Sequence, residues 1–223
     1  MIQVRIWDLP TRVFHWSLAI LVIALIMTGN VGGNAMVWHF RFGYAVLSLL
    51  LFRLMWGFVG GHWSQWRQLT CTPSALRQYV SGLHGHQRFL GHNPLGSLSV
   101  IVMLSMLLLQ VTTGLFSDDE IANAGPLTVW VTGHIVSLAT AWHKGLGKAI
   151  VLLLIAAHLL AIAWHLIKKE DNLSRAMVLG DKDTAMPVPG SSDKPIDWLK
   201  AFACLAFASG LVFFLITATP PNS

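Results

Sequence analysis

Charged side chains are scarce in this chain. Asp, Glu, Lys and Arg make up 11% of its 223 residues, against about 25% in a water-soluble domain. So few solvated groups cannot cover a globule in water, which excludes a soluble protein. Cysteine is scarce as well: Cys71 and Cys204 are the two present, too few for a disulfide scaffold and expected as free thiols. Disorder is excluded from the other side, because 54% of the residues are hydrophobic and the mean hydropathy is +0.60. The net charge of +5 is spread between apolar runs and forms no continuous basic patch, so no nucleic acid is expected as a partner. What remains is a protein whose solvent is membrane lipid.

A transmembrane helix needs about 20 mostly apolar residues. Five such runs are present, at 13–29, 40–59, 95–116, 148–167 and 199–217. Turn and breaker residues lie between them, as in Gly32-Gly33-Asn34, Gly60-Gly61, Gly91-His92-Asn93-Pro94 and the stretch from Pro187 to Ser192. The last stretch reads as a flexible linker that sets the fifth helix apart. Arg5, Asp8 and Arg12 precede the first run and no small-residue cleavage site follows it, so that run is expected to stay in the mature protein.

Lys and Arg stay preferentially on the cytoplasmic side of short loops. They collect at the N-terminus (Arg5, Arg12), in the second loop (Arg67, Arg77, Arg88) and in the fourth (Lys168, Lys169, Arg175, Lys182, Lys194, Lys200). The first connection has Arg41 alone, and the third carries Asp118, Asp119 and Glu120 before Lys144 and Lys148. The N-terminus is therefore expected in the cytoplasm and, with five spans, the C-terminus outside.

Ten histidines are many for so apolar a chain, and an ionisable group at membrane depth is a functional-site hypothesis by default. His62, His84, His86, His92 and His134 fall in loops and read as solvated. The others sort by depth. His15 lies in the first turns of helix one and His39 at the outer entry of helix two, while helix four runs inward from His143 to His158, about 22 Å deeper at the usual helical rise. His15 thus shares a level with His158, and His39 with His143. The fifteen-residue step rotates a helix by about 60°, so both helix-four histidines address the same interior. Two imidazoles from facing helices hold a haem iron from both sides, which favours electron transfer over oxygen chemistry.

Rival uses of such histidines lack their other parts. Metal transport needs carboxylates or thiolates along a path, and the midplane has none. Di-iron hydroxylases need clustered histidine boxes, which are missing. Gly43, Gly114, Ala157 and Ala161 leave room for a flat cofactor or for plain helix packing. Arg53, inside an apolar run, and Arg12, three residues before His15, are each candidates for a haem propionate or for phospholipid. His165 shares the face of His158 and addresses a propionate, a quinone or the interface. The ten tryptophans cluster at span ends as an interfacial belt.

These residues carry a family resemblance. Val4-Arg5-Ile6-Trp7-Asp8-Leu9-Pro10-Thr11-Arg12-Val13-Phe14-His15-Trp16 resembles the opening of the prokaryotic cytochrome b561 family, di-haem b-type cytochromes that include the cytochrome b subunits of nickel-iron hydrogenases. His39-Phe40-Arg41-Phe42-Gly43-Tyr44, the run from Arg53 to Gly60, Asn93-Pro94-Leu95-Gly96, His143, His158 and the run from Glu170 to Met177 continue the pattern. The resemblance implies a four-helix core that binds two b haems through His15, His39, His143 and His158. It also implies electron transfer between a quinone pool and a redox partner outside. Lys144 stands where the family commonly has Glu, and the step from His143 to His158 is one residue longer than usual, which makes His134 the alternative to His143.

The expectation is an all-α integral membrane protein of the bacterial inner membrane: a di-haem bundle over 1–180, a polar cytoplasmic linker over 181–198 and a fifth transmembrane helix over 199–217. Its function is an electron relay between quinone and a periplasmic redox partner, either a soluble c-type cytochrome or a hydrogenase or dehydrogenase subunit. Bond chemistry is expected, if anywhere, at a quinone. The alternative is a membrane anchor of a redox complex whose histidines hold a structural metal or only pack. No CxxCH motif is present, so the haems are expected to be non-covalent. The small pair Ala206 and Gly210 is expected to pack helix five against the bundle or a partner subunit, with no haem of its own.

Overall fold

The structure, a computed structural model, describes residues 2–82, 89–119, 121–168 and 171–218. His84, His86, Arg88, Glu120, Lys169 and Glu170, named above, lie outside the described residues. Helix α1 spans Leu9–Val31, α2 Met36–Val59, α3 Pro73–Val80, α4 Pro94–Leu115, α5 Gly133–Lys144, α6 Leu146–Lys168, α7 Leu173–Leu179 and α8 Pro195–Thr217. Among the described residues five spans are long and apolar enough to cross a membrane: α1, α2 with its preceding turn, α4, α5 together with α6, and α8. The chain is an all-helical integral membrane bundle.

Local chemistry sets where these helices start. Asp8 caps α1 by accepting from Thr11 N at 2.8 Å, with Pro10 in the first turn. Asn93 caps α4 by accepting from Gly96 N at 2.7 Å, followed by Pro94. The fourth span departs from the single helix expected over 148–167. It extends from Gly133 to Lys168 and is broken at Gly145, the C-cap of α5, whose backbone (φ −100°, ψ −108°) leaves the helical region. His143 therefore sits on α5 and His158 on α6, so the fifteen-residue rotation argument does not apply to them as one helix.

Helix α2 is the hub. Val46, Leu47 and Leu50 of α2 meet Val111 and Leu115 of α4 and Val212 of α8 in one buried cluster. Phe52 and Trp56 meet Phe14 of α1 and Ala208 of α8 in another. Ala208 and Val212, one turn apart, are thus the residues that seat α8 on α2. Ala206 and Gly210 are exposed on the other side, so of the two expected contacts for that pair the one with the bundle is not made. Helix α6 packs on α4 and α5, with no comparable packing against α1. Leu153, Leu160 and Ile167 of α6 and Phe202, Phe207 and Phe213 of α8 are exposed. That apolar surface faces lipid.

The segment after Gly180 is not a free linker. Strand β2 (Asp181–Thr184) pairs antiparallel with β1 (Ile2–Arg5), Ile2 opposite Thr184 and Arg5 opposite Asp181. Gly180 makes the junction. At φ +93° it ends α7 in the left-handed region, and its carbonyl accepts from Ile6 N at 2.8 Å and Trp7 N at 3.0 Å. Further along, Ser191 N donates to Arg5 O at 2.7 Å, Trp63 Nε1 to Pro189 O at 2.8 Å and Leu9 N to Asp193 at 2.7 Å, while Arg5 pairs with both Asp181 and Asp193. The Asp181 and Asp193 carboxylates raise the pKa of Arg5 above its ordinary value. A polar cap thus closes the N-terminal face of the bundle and ties the root of α8 to the root of α1.

Candidate functional site

The depth argument paired histidines from different helices, and the structure brings the same pairs together. The rings of His15 on α1 and His158 on α6 have centroids 6.4 Å apart with planes inclined at 51°. Those of His39 on α2 and His143 on α5 lie 6.1 Å apart at 90°. The first pair lies towards the capped N-terminal face, since α1 starts and α6 ends there. The second lies near the opposite end. His134, in the first turn of α5, is exposed, and His143 is the one that meets His39.

The far pair is oriented by backbone. His39 Nδ1 lies 3.1 Å from Leu25 O, and His143 Nδ1 lies 2.8 Å from Gln110 O. A carbonyl only accepts, so each Nδ1–H donates and each Nε2 keeps a lone pair. This is the outer support usual for metal-bound imidazole. Gln110 Nε2 also donates to His143 O at 2.8 Å. Two glycines make room for these rings: a Cβ on Gly29 would meet His39 Cε1 at 3.0 Å, and one on Gly114 would meet His143 Cε1 at 2.8 Å. Gly114 therefore backs a histidine directly. Gly43 faces open space, with nothing within 4 Å of a built Cβ, while Ala157 and Ala161 are exposed.

At the near level His15 Nδ1 is buried without a hydrogen-bond partner. Arg53 is 5% exposed, with its guanidinium carbon 4.4 Å above the Trp66 ring and Nη1 buried and unpartnered. It does not snorkel to the interface. Arg12 donates through Nη1 to Val178 O at 2.6 Å and lies 3.7 Å from Asp193, and its Nε is buried without an acceptor. His165 accepts from Asn93 Nδ2 at 3.3 Å and faces Ala161 O through Nδ1 at 3.2 Å. It joins the end of α6 to the start of α4.

Three features escaped the sequence reading. Asp8 is fully buried and accepts from four donors: Thr11 N (2.8 Å) and Trp56 Nε1 (3.3 Å) on Oδ1, Gly61 N (3.0 Å) and Ser64 Oγ (2.8 Å) on Oδ2. His92 is half-buried and not a freely solvated loop residue; its ring lies 4.7 Å from Trp7. Trp7 and Trp56 are core residues of the cap, 6% and 1% exposed, and not members of an interfacial belt. Apart from Thr11, the donors to Asp8 come from residues 48 to 56 positions further along the chain. On the opposite face Asp119 is committed to its own turn. The Asn123 amide, then the Asn123 and Ala122 N–H groups, hold its carboxyl well below the usual range.

The donor set fits a haem on three observations. A metal bonded to two imidazole nitrogens at about 2.0–2.1 Å, each about 1.1 Å from its ring centroid, sets the centroids about 6.3 Å apart, and both pairs meet that spacing. Arg53 Nη1 and Arg12 Nε are buried without an acceptor, which a propionate would supply. Gly43 opens a space beside the far pair. Among the described residues no three His, Cys, Asp or Glu side chains converge on one point; the arrangement is pairwise.

The chain is 23% identical to the probable Ni/Fe-hydrogenase 1 B-type cytochrome subunit of Escherichia coli K12, covering 78% of this chain and 88% of that protein. It is 25% identical to the probable Ni/Fe-hydrogenase B-type cytochrome subunit of Azotobacter chroococcum, over 79% and 85%. No solved structure matches it significantly. Residues 6–180 match the family described as prokaryotic cytochrome b561. With all four paired histidines inside that match, the chain belongs to the prokaryotic cytochrome b561 family.

Proposed function

We propose that this b-type cytochrome is a two-haem relay, with one haem held by His15 and His158 and the other by His39 and His143. The observation that carries the reading is the double coincidence of ring spacing, 6.4 and 6.1 Å, in two pairs drawn from four different helices. When bound, the haem supplies a one-electron iron couple whose potential responds to axial ligation, hydrogen bonding and burial. Two imidazoles on each iron would leave no ligand position open to oxygen, which suits electron transfer. Leu25 O and Gln110 O fix the ring orientation of the far pair, and Arg53 and Arg12 offer their unpartnered nitrogens to the propionates of the near haem. Helix α8 contributes no histidine; it braces α2 from outside the cofactor core.

Charge supports one orientation. Arg5, Arg12, Arg67, Arg77, Lys182, Lys194 and Lys200 belong to the N-terminal cap and its loops, which favours a cytoplasmic position for that face. Electrons then pass between a quinone in the bilayer and a redox partner at the periplasmic face. The relatives named as hydrogenase cytochrome subunits make a hydrogenase the favoured partner, with a soluble c-type cytochrome as the other class. A reduced-minus-oxidised spectrum of the purified protein tests the relay. A quinol should develop a low-spin b-type spectrum from two haems per chain, and that haem should extract into acidic acetone. A colourless protein refutes the relay in favour of an anchor.

A further inference from the structure

Between α2 and α4 the surface of the bundle is cut by a groove of about 350 Å³ that contains no histidine. Its walls are aliphatic and aromatic, and Leu54, Phe58 and Ile101 are exposed along its mouth, so it opens towards lipid. Two polar side chains interrupt these walls, Arg53 from α2 and the exposed Ser105 from α4. The groove lies at the level of the His15–His158 pair, because Phe52, the neighbour of Arg53, packs at 6.2 Å on Phe14, the neighbour of His15.

Arg53 is fixed in that wall. Trp66, which also lines the groove, folds back so that its Nε1 donates to Leu54 O at 3.0 Å and its ring covers the guanidinium at 4.4 Å. The fit depends on Gly57, where a Cβ would collide with the Trp66 ring. Covered in this way, Arg53 is 5% exposed and its Nη1 has no acceptor. A buried donor without a partner is costly, so the site favours a ligand that brings an acceptor. A guanidinium carries five N–H donors, and a propionate leaves some of them for a ligand in the groove.

Depth and charge select the occupant. Arg53 lies six residues inside the end of α2 at Val59, about 9 Å at the usual helical rise. A helix of 24 residues is about 36 Å long against a hydrocarbon layer of about 30 Å, so the guanidinium sits within that layer. A phospholipid phosphate would have to leave the headgroup region to reach it. A quinone suits the site better: its ring is neutral, its carbonyls accept hydrogen bonds, and its tail is hydrocarbon.

We propose that this groove is the quinone site of the relay. A ring carbonyl accepts from Arg53, Ser105 offers a hydroxyl from the opposite wall, and ring and tail lie along Leu54, Phe58 and Ile101. The inference locates a substrate of the relay and rests on that reading. A quinol oxidised there becomes quinone, releasing two electrons to the relay and two protons to water.

Reduction of the holoprotein by a short-tailed quinol and, separately, by dithionite tests the site. Leu54→Trp and Ile101→Trp fill the groove from opposite walls. Each should raise the KM for the quinol about tenfold, the scale of a steric misfit in an apolar pocket, while haem per chain and dithionite reduction stay at wild-type values. A photoreactive azidoquinone on the wild type stands as a second readout even if the variants fail to fold. Its label should fall on the groove residues of α2 and α4 and be displaced by unlabelled quinol. An unchanged KM in both variants, a label elsewhere in the chain, or a label displaced by phosphatidylglycerol and not by quinol overturns the site alone. A wild type that dithionite reduces and quinol does not overturns the quinone half of the relay as well.

Discussion

His143→Ala is expected to lower the haem content from two per chain to one, and His39→Ala to remove the same haem. His15→Ala and His158→Ala should each remove the other. The expectation follows from geometry: each imidazole is paired with an imidazole of another helix near 6 Å, and deleting one side of a two-nitrogen grip leaves the metal with an open position and half its protein anchor. Residues that act as one unit are non-additive, so His15→Ala/His158→Ala should lose no more haem than either single change, whereas His15→Ala/His143→Ala should lose both. His134→Ala should leave both haems, because that side chain is exposed in the first turn of α5. Haem per chain by haemochrome assay, with protein counted independently, reads all seven variants. Two haems retained in His143→Ala would transfer that ligand to His134.

The second large effect falls outside the cofactor core. Asp8→Ala removes a fully buried carboxylate that ends two backbone N–H groups, an indole N–H and a hydroxyl. Breaking a buried charged network by removing one partner costs about 3–5 kcal/mol, because the donors left behind keep their desolvation penalty. The loss spreads through the cap, since Thr11 and Ser64 share a hydrogen bond of 2.7 Å beside it and Trp56 belongs to the cluster that seats α8. Thermal unfolding in detergent should show a large drop in Tm for Asp8→Ala. Asp8→Asn should show a smaller one, because one carboxamide oxygen still accepts. A Tm within error of the wild type for Asp8→Ala would show that the network contributes nothing to stability.

What was legible in the sequence is what lipid dictates locally. Five spans follow from run length and absence of charge, and the levels of His15, His39, His143 and His158 follow from the rise and direction of each span, even though the step from His143 to His158 crosses the break between α5 and α6. The break at Gly145 was harder to read, because a lone glycine in an apolar run is compatible with an unbroken helix. The cap was not legible for a different reason. Its contacts join positions far apart in the chain, Arg5 to Asp181 and Asp193, Asp8 to Gly61 and Ser64, Trp7 to His92, and no local periodicity reports such pairings. The same holds for α8: Ala206 and Gly210 have the small-residue spacing, yet Ala208 and Val212 make the contact. Spacing marks a possible seam, and the neighbouring helix decides which face is used.

The central claim, two irons each held between two imidazoles, is tested most directly by low-temperature electron paramagnetic resonance of the oxidised holoprotein. The orientation of the axial imidazole planes splits the iron d orbitals, and planes at right angles cancel much of that splitting. The pairs differ, with planes at 51° for His15 and His158 and at 90° for His39 and His143. The account predicts two distinct low-spin ferric signals of equal weight, the more anisotropic one disappearing in His143→Ala. A single signal, or a high-spin signal from iron with an open axial position, would contradict it.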